Sequence, residues 1–325
     1  MELNEFLAEW HNDNPRILVH TSGSTGKPKP LMVEKRRMLN SARITCDFLG
    51  LKPGDTALLC MSLDYIAGKM MVVRSLQRDL RLTSVRPSSH PLADDALPSF
   101  TFAAMVPMQV YNSLKVPCER ERLMRIRHLI IGGGAISDEL AQMIKPLPNA
   151  VWSTYGMTET LSHIALRRLN GPDASLWYTP FDGVGISLNA EGCLVIDAPE
   201  VCAEPLVTND IAQLRTDDRT GKTLFRIKGR KDNVVCSGGI KIQIEEVEET
   251  LRPHLSAPFM IVKKQDEMLG EKAILLTESA DLTHIEEICR NTLPKYWVPR
   301  EFLHIDRLPL TETGKPKRTL PFTPR

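Results

Sequence analysis

Residues 21–29 read TSGSTGKPK, and this stretch decides more about the chain than any other. It packs two Gly, two Ser, two Thr and two Lys into nine positions. Ile17-Leu18-Val19, a short apolar run of strand character, comes just before it. Glycines let a loop wrap closely around an anion, so that backbone N–H groups, hydroxyls and ammonium groups share a polyphosphate charge. The segment is not a Walker P-loop, G-x-x-x-x-G-K-[ST]: Gly23 and Gly26 stand too close, and Pro28 follows Lys27 where Ser or Thr is required. A flexible linker would explain Gly and Ser, but not two lysines directly after a strand. Thr21, Ser22, Gly23, Ser24, Thr25, Gly26 and Lys27 are therefore the candidate phosphate-binding residues.

Outward from this loop, strand-like and helix-like stretches alternate to about residue 160. Ala57–Met61 reads as a buried strand, and Tyr65–Arg78 as a helix with Ile66, Met70, Val73 and Gln77 at helical spacing. Phe100–Met105 reads as a strand, Pro107 as a first helical turn, and His128–Ile131 as a strand ending in Gly132-Gly133-Gly134. Ser137 reads as an N-cap with Asp138 and Glu139 behind it, and Val151–Tyr155 as the next strand. Such alternation predicts an α/β fold with a mostly parallel sheet flanked by helices. From about Val184 short strands separated by turns predict a small antiparallel β subdomain. Beyond Gly229-Arg230 a smaller α+β unit is expected, with a boundary near Lys231-Asp232 that divides the chain into 1–230 and 231–325.

Composition excludes several classes. The 325 residues carry a net charge of +1, so no broad field favours nucleic acid or an anionic membrane. Hydrophobic residues make up 42%, enough for a core. Neither a signal peptide nor a membrane anchor is indicated. Seven single cysteines without C-x-x-C pairs argue against a disulfide framework or structural zinc. A cytoplasmic protein with reduced thiols is expected.

Further motifs carry chemistry. Tyr155-Gly156-Met157-Thr158-Glu159-Thr160 follows a strand; its ring can stack on a base, its hydroxyl can contact phosphate, and its carboxylate is a hard ligand for Mg²⁺. Gly133 and Gly134 sit at a strand end, where ligands of open α/β sheets collect. Thr208-Asn209-Asp210, Gly229-Arg230-Lys231-Asp232, Ser237-Gly238-Gly239-Ile240-Lys241 and Pro309-Leu310-Thr311-Glu312-Thr313-Gly314-Lys315-Pro316-Lys317-Arg318 complete the set.

Taken together and in this order, these motifs resemble those of the adenylate-forming enzymes: acyl-CoA synthetases, peptide-synthetase adenylation domains and luciferases. The resemblance covers nearly the whole chain. It implies ATP, Mg²⁺ and coenzyme A as partners, with adenine against Gly133, Gly134 and Tyr155 and ribose at Asp210 and Arg230. It further implies Mg²⁺ on Glu159, a phosphate contact from Thr158, a hinge at Asp232, and Lys241 near CoA. Lys315 would offset the charge that builds as a carboxylate attacks phosphorus. No catalytic role falls to the glutamates of Glu245-Glu246-Val247-Glu248. Asn209 stands where this family usually has Gly, a change expected to alter the local turn. Only twenty residues precede the phosphate loop, where relatives carry a long segment. A competent short form is expected, with the surface that segment would cover either exposed or buried in a homodimer.

Met105-Val106-Pro107-Met108-Gln109-Val110 resembles the VPTQL segment of o-succinylbenzoate–CoA ligases of menaquinone biosynthesis, and Ser162-His163 also looks like that group. This resemblance implies a dicarboxylic aromatic acid, whose second carboxylate needs a cation. Lys69, on an otherwise apolar helix face, is either a surface residue or the anchor for that carboxylate, with Ser162 and His163 also assigned to the acid site and His163 and Arg74 the next candidates for the anchor. The alternatives are another aryl- or acyl-CoA ligase, an adenylation domain serving a carrier protein, or a nucleotide-binding subunit without activity.

Overall fold

The computed structural model describes residues 1–20, 30–134, 136–310 and 316–318. Two compact units emerge, one of Met1–Ser187, Val195–Leu206 and Leu214–Arg226, the other of Leu188–Leu194, Val207–Gln213 and Ile227–Arg325.

The first unit opens with helix α1 (Leu3–His11), which buries Phe6 and Trp10. Strands β1 (Arg16–His20) and β2 (Pro30–Glu34) then pair antiparallel, His20 opposite Pro30. Helix α2 (Lys35–Leu49) follows and stops at Gly50, which is left-handed at φ 66°. The main sheet has seven strands: β3 (Thr56–Leu59), β4 (Arg81–Ser84), β5 (Phe102–Met105), β6 (His128–Ile131), β7 (Ala150–Gly156), β8 (His163–Arg168) and β9 (Thr179–Pro180). Their order is β4-β3-β5-β6-β7-β8-β9. Strands β3 to β7 pair in parallel; β8 and β9 join antiparallel. All four β5 residues are buried, as befits a strand covered on both faces. The covering helices are α3 (Ile66–Arg78), α4 (Pro107–Lys115), α5 (Pro117–Met124) and α6 (Asp138–Ile144). Leu58, Met105, Leu123, Leu129, Ile144 and Val151 belong to one core between them. The Ser137 hydroxyl caps α6, accepting from Leu140 N at 3.2 Å.

Helix α3 departs from a simple amphipathic stripe. Every residue from Gly68 to Ser75 is buried, Lys69 and Arg74 included. Gly68 is required there, because a Cβ would lie 2.3 Å from Ser62 O.

Strands β10 (Gly185–Leu188), β11 (Cys193–Asp197), β12 (Leu206–Thr216) and β13 (Thr223–Arg230) form a four-stranded sheet in chain order. In the second unit, β14 (Val234–Ser237), β15 (Ile240–Gln243), β16 (Phe259–Asp266), β17 (Gly270–Thr277) and β18 (Glu301–His304) make a five-stranded sheet. Helices α7 (Ile244–Leu251) and α8 (Leu282–Thr292) share a core with it, through Val247, Leu251, Ile261, Leu275 and Ile285. The opposite face holds a smaller cluster of Met260, Val262, Ile274, Leu276 and Ile305. Mixed α/β architecture with a parallel-rich main sheet is thus the observed fold class. Among the described residues no helix is long and apolar enough to cross a membrane.

Candidate active site

Thr21–Lys27 and Lys315 lie outside the described residues. What the structure gives is the frame on either side: β1 and β2 close the base of the first segment at His20 and Pro30, and Leu310 bridges Pro316 beside the second.

Gly132–Gly134 and Tyr155 come together because β6 and β7 are parallel neighbours, Ile131 opposite Ser153. Gly132 allows the approach, since a Cβ would sit 2.5 Å from Thr154 Oγ1. Gly133 turns the chain at φ 78°. Both lie at carboxyl ends of parallel strands, where open α/β sheets take ligands. The half-buried Tyr155 ring is set edge-on to Phe225, with centroids 5.0 Å apart, and tilted against Tyr178 at 5.7 Å.

Beyond Tyr155 the chain reverses within a few residues. A Cβ on Gly156 would lie 2.3 Å from Ser162 O and 2.4 Å from His163 Cα, so only glycine admits the turn. Thr158–Thr160 form one 3₁₀ turn. Buried Thr160 fastens it: its hydroxyl accepts from Met157 N at 3.0 Å and lies 2.6 Å from Ser162 O, to which it donates. Leu161 pays in backbone strain, at φ 64° and ψ −33° with its side chain buried. Thr158 is buried and Glu159 exposed. Among the described residues no three His, Cys, Asp or Glu side chains gather as a metal site. A lone exposed carboxylate still fits Mg²⁺, which keeps several waters and binds through one or two carboxylates plus substrate phosphates.

Next to this turn runs a buried polar chain that periodicity did not reveal. Arg74 Nη2 donates to Ser162 Oγ at 2.5 Å; Ser162 Oγ lies 3.2 Å from His163 Nδ1; His163 Nε2 lies 3.1 Å from Thr45 Oγ1. Arg74 is 2% exposed, its Nε has no partner, and no carboxylate pairs with it among the described residues. Burial brings its pKa down to about 10, so it stays charged at neutral pH. Burial, helped by the Arg74 charge, holds His163 well below the usual histidine range. Lys69, the first candidate for the anchor, is committed elsewhere. Its ammonium donates to Leu18 O at 2.6 Å and lies 5.9 Å from the Phe6 ring centroid. These contacts to Leu18 of β1 and Phe6 of α1 turn the lysine into a packing contact.

In the second unit Arg230 stands between two carboxylates, 3.5 Å from Asp210 and 3.0 Å from Asp232. Asn209 Nδ2 also donates to Asp232, at 3.4 Å. The altered turn expected at Asn209 does not occur. It lies inside β12, where the backbone is extended and asks nothing of glycine. Lys241 is exposed on β15, reached through a two-residue hairpin at Gly238 and Gly239 with φ of 56° and 82°.

The AMP-binding enzyme family matches residues 4–203. This chain belongs to that family. An acyl-CoA synthetase (AMP-forming)/AMP-acid ligase II-like protein from Dyadobacter fermentans is 34% identical, with a TM-score of 0.68 over 97% of this chain and 91% of that one. The 2-succinylbenzoate–CoA ligase of Bacillus mycoides is 25% identical across 94% of this chain and 69% of its own length. The Bacillus subtilis o-succinylbenzoate coenzyme A synthetase, solved with ATP and magnesium ion, shares the fold at 23% identity and a TM-score of 0.72, over 93% of this chain and 68% of that one.

Proposed function

We propose that this member of the AMP-binding family is an acid–CoA ligase that works through an acyl-adenylate, with o-succinylbenzoate as its acid. The observation that carries the reading is the Gly156 turn. It follows directly on Tyr155, which the β6–β7 pairing sets beside Gly132–Gly134, and leaves the Glu159 carboxylate exposed a few residues on.

In the first half-reaction a carboxylate oxygen attacks the α-phosphorus of ATP, and the bond to pyrophosphate breaks. Thr21–Lys27 and Thr158 would hold phosphate oxygens, Gly133, Gly134 and Tyr155 the adenine, and Asp210 with Arg230 the ribose. Glu159 would hold Mg²⁺, which supplies charge neutralisation at the phosphates. Lys315 would offset the charge developing at the reacting oxygens. In the second half-reaction the CoA thiolate attacks the acyl carbon and AMP leaves. Asp232 would be the pivot between the two, and Lys241 would lie near CoA.

Arg74 is the better candidate for the second carboxylate of the acid. A buried cation without a counter-ion costs several kcal/mol, and a ligand carboxylate beside Ser162 and His163 would relieve that cost. Arg74→Lys would keep a charge but lose the planar fork. It is expected to raise KM for the acid about tenfold to a hundredfold, by the tenfold-per-1.4-kcal/mol rule, with KM for ATP unchanged.

A pyrophosphate-release screen across aromatic, succinyl-aryl and fatty acids tests the function, followed by turnover with free CoA. Fastest release with o-succinylbenzoate and thioester formation with free CoA are expected. Release with a different acid would reassign the substrate. Silence with every acid would leave a nucleotide-binding protein without ligase activity.

A further inference from the structure

Gln109, from the Met105–Val110 segment, takes no part in the chemistry proposed above. It lies on α4 and is only 4% exposed. Its Oε1 accepts from Val106 N at 3.1 Å. Its Nε2 donates to Cys60 O at 3.1 Å and to Ser88 O at 2.9 Å. One amide thus spends both N–H groups and its oxygen on main chain. These partners fix which way the amide points, because its nitrogen faces two carbonyls and its oxygen faces an N–H.

The three main-chain points are distant in sequence. Cys60 follows the last residue of β3, Ser88 lies beyond β4, and Val106 follows β5 directly and precedes α4. Each stands past the carboxyl end of a parallel strand, at the edge where open α/β sheets take ligands. From Val106 the contacts lead on to the glycine turn. Gly132 N donates to Met105 O at 3.1 Å, and Val106 Cγ1 lies 3.5 Å from the place a Gly133 Cβ would take. A buried polar group with its hydrogen bonds made rigidifies what it joins. An apolar side chain in its place would leave two carbonyls and an N–H in need of other partners.

We propose that Gln109 is a positioning residue: it ties the exits of β3, β4 and β5 together and so holds Val106 against the Gly132–Gly134 turn that takes the adenine. This rests on the reading of that turn as the adenine site and is independent of which acid is activated.

Gln109→Met and Val106→Ala test it in the full chain. The first removes the amide and keeps an unbranched side chain; the second keeps the amide and removes the contact at Gly133. ATP and inorganic triphosphate are titrated with Mg²⁺ and without acid, and hydrogen exchange is followed at the Gly132 amide. Triphosphate has no base, so it reports the hold on phosphate alone. Both variants should weaken ATP about tenfold, or about 1.4 kcal/mol, and leave triphosphate within about twofold of wild type. The Gly132 amide should exchange faster in Gln109→Met, as a locally loosened turn does. Wild-type affinity for ATP, equal weakening of ATP and triphosphate, or unchanged exchange at Gly132 would overturn the proposal. Should Gln109→Met not fold, Gln109→Glu, which keeps the volume and the oxygen facing Val106 N, takes its place with the same expectations. A wild-type chain that binds ATP but releases no pyrophosphate with any acid would end the ligase reading and leave this proposal standing. A wild-type chain that binds no ATP would overturn it.

Discussion

Gly156 shows how a single residue type can hold a site together. Its missing Cβ is what lets β7 turn back against Ser162 O and His163 Cα. Both would-be neighbours are backbone, so neither can swing aside. Gly156→Ala should open the turn, cost about 1–3 kcal/mol as overpacking does, and depress pyrophosphate release; a melting curve and rate equal to wild type would refute this. His163 gives a pH-dependent counterpart. Its folded pKa is depressed, so below the unfolded value near 6.5 the unfolded chain binds more protons than the folded one. The stability from burying neutral His163 is thus complete above that pH and lost as pH falls towards the folded pKa, at up to about 1.4 kcal/mol per pH unit. His163→Gln should flatten urea-derived stability between pH 6.5 and 5, and an unchanged slope there would assign the dependence to other groups. These residues differ in how far the sequence discloses them. Gly156 and Tyr155 stand in a motif whose chemistry is visible in its letters. The partners of Lys69 and Arg74 depend on α1, β1 and the Gly156 turn, which helical periodicity along α3 cannot convey.

At the scale of elements, strands β3, β5, β6 and β7 were legible because each is a short apolar run ended by a turn signal. Strand β8 was not. The reversal before it uses a 3₁₀ turn and a strained Leu161, and its glycine, Gly156, ends β7 and admits a close backbone approach rather than forming a two-residue hairpin turn. Strand β15 was hidden differently. Two adjacent glycines read as a loop from the letters alone, whereas Gly238 and Gly239 are the two turn residues that pair Ser237 with Ile240. Gly239 has open space around its Cβ position but a φ of 82°. Its replacement should therefore meet backbone strain and no clash. Gly239→Ala is expected to cost about 1–2 kcal/mol, the left-handed penalty for a residue with a Cβ. Urea unfolding measures it, and a value near zero would mean that the hairpin relaxes to another turn.

At the scale of the molecule, the sequence conveyed a main α/β body and a smaller α+β unit, because each has its own rhythm of apolar runs. It did not convey that pieces of β10–β12, Leu188–Leu194 and Val207–Gln213, group with the later unit. That assignment depends on pairing between distant segments, and it puts Asp210 in one compact unit with Arg230 and Asp232. Asp232 sits in a 3₁₀ turn, Lys231–Asn233, and its carboxylate receives Arg230 and Asn209. If the chain pivots here between half-reactions, the backbone must be free to leave this turn. Asp232→Pro fixes φ near −65° and pushes Lys231 away from helical values. It also removes the carboxylate that Arg230 and Asn209 share. A pivot so restrained should still form adenylate when the acid and ATP bind, since no group assigned to phosphate or adenine is altered. Conversion of supplied adenylate to thioester should slow by at least tenfold, or about 1.4 kcal/mol of barrier. Single-turnover assays of the two steps separate these effects. Thioester formation at the wild-type rate would move the pivot to another residue. Equal slowing of both steps would mean that Asp232 acts through Arg230 on nucleotide binding instead.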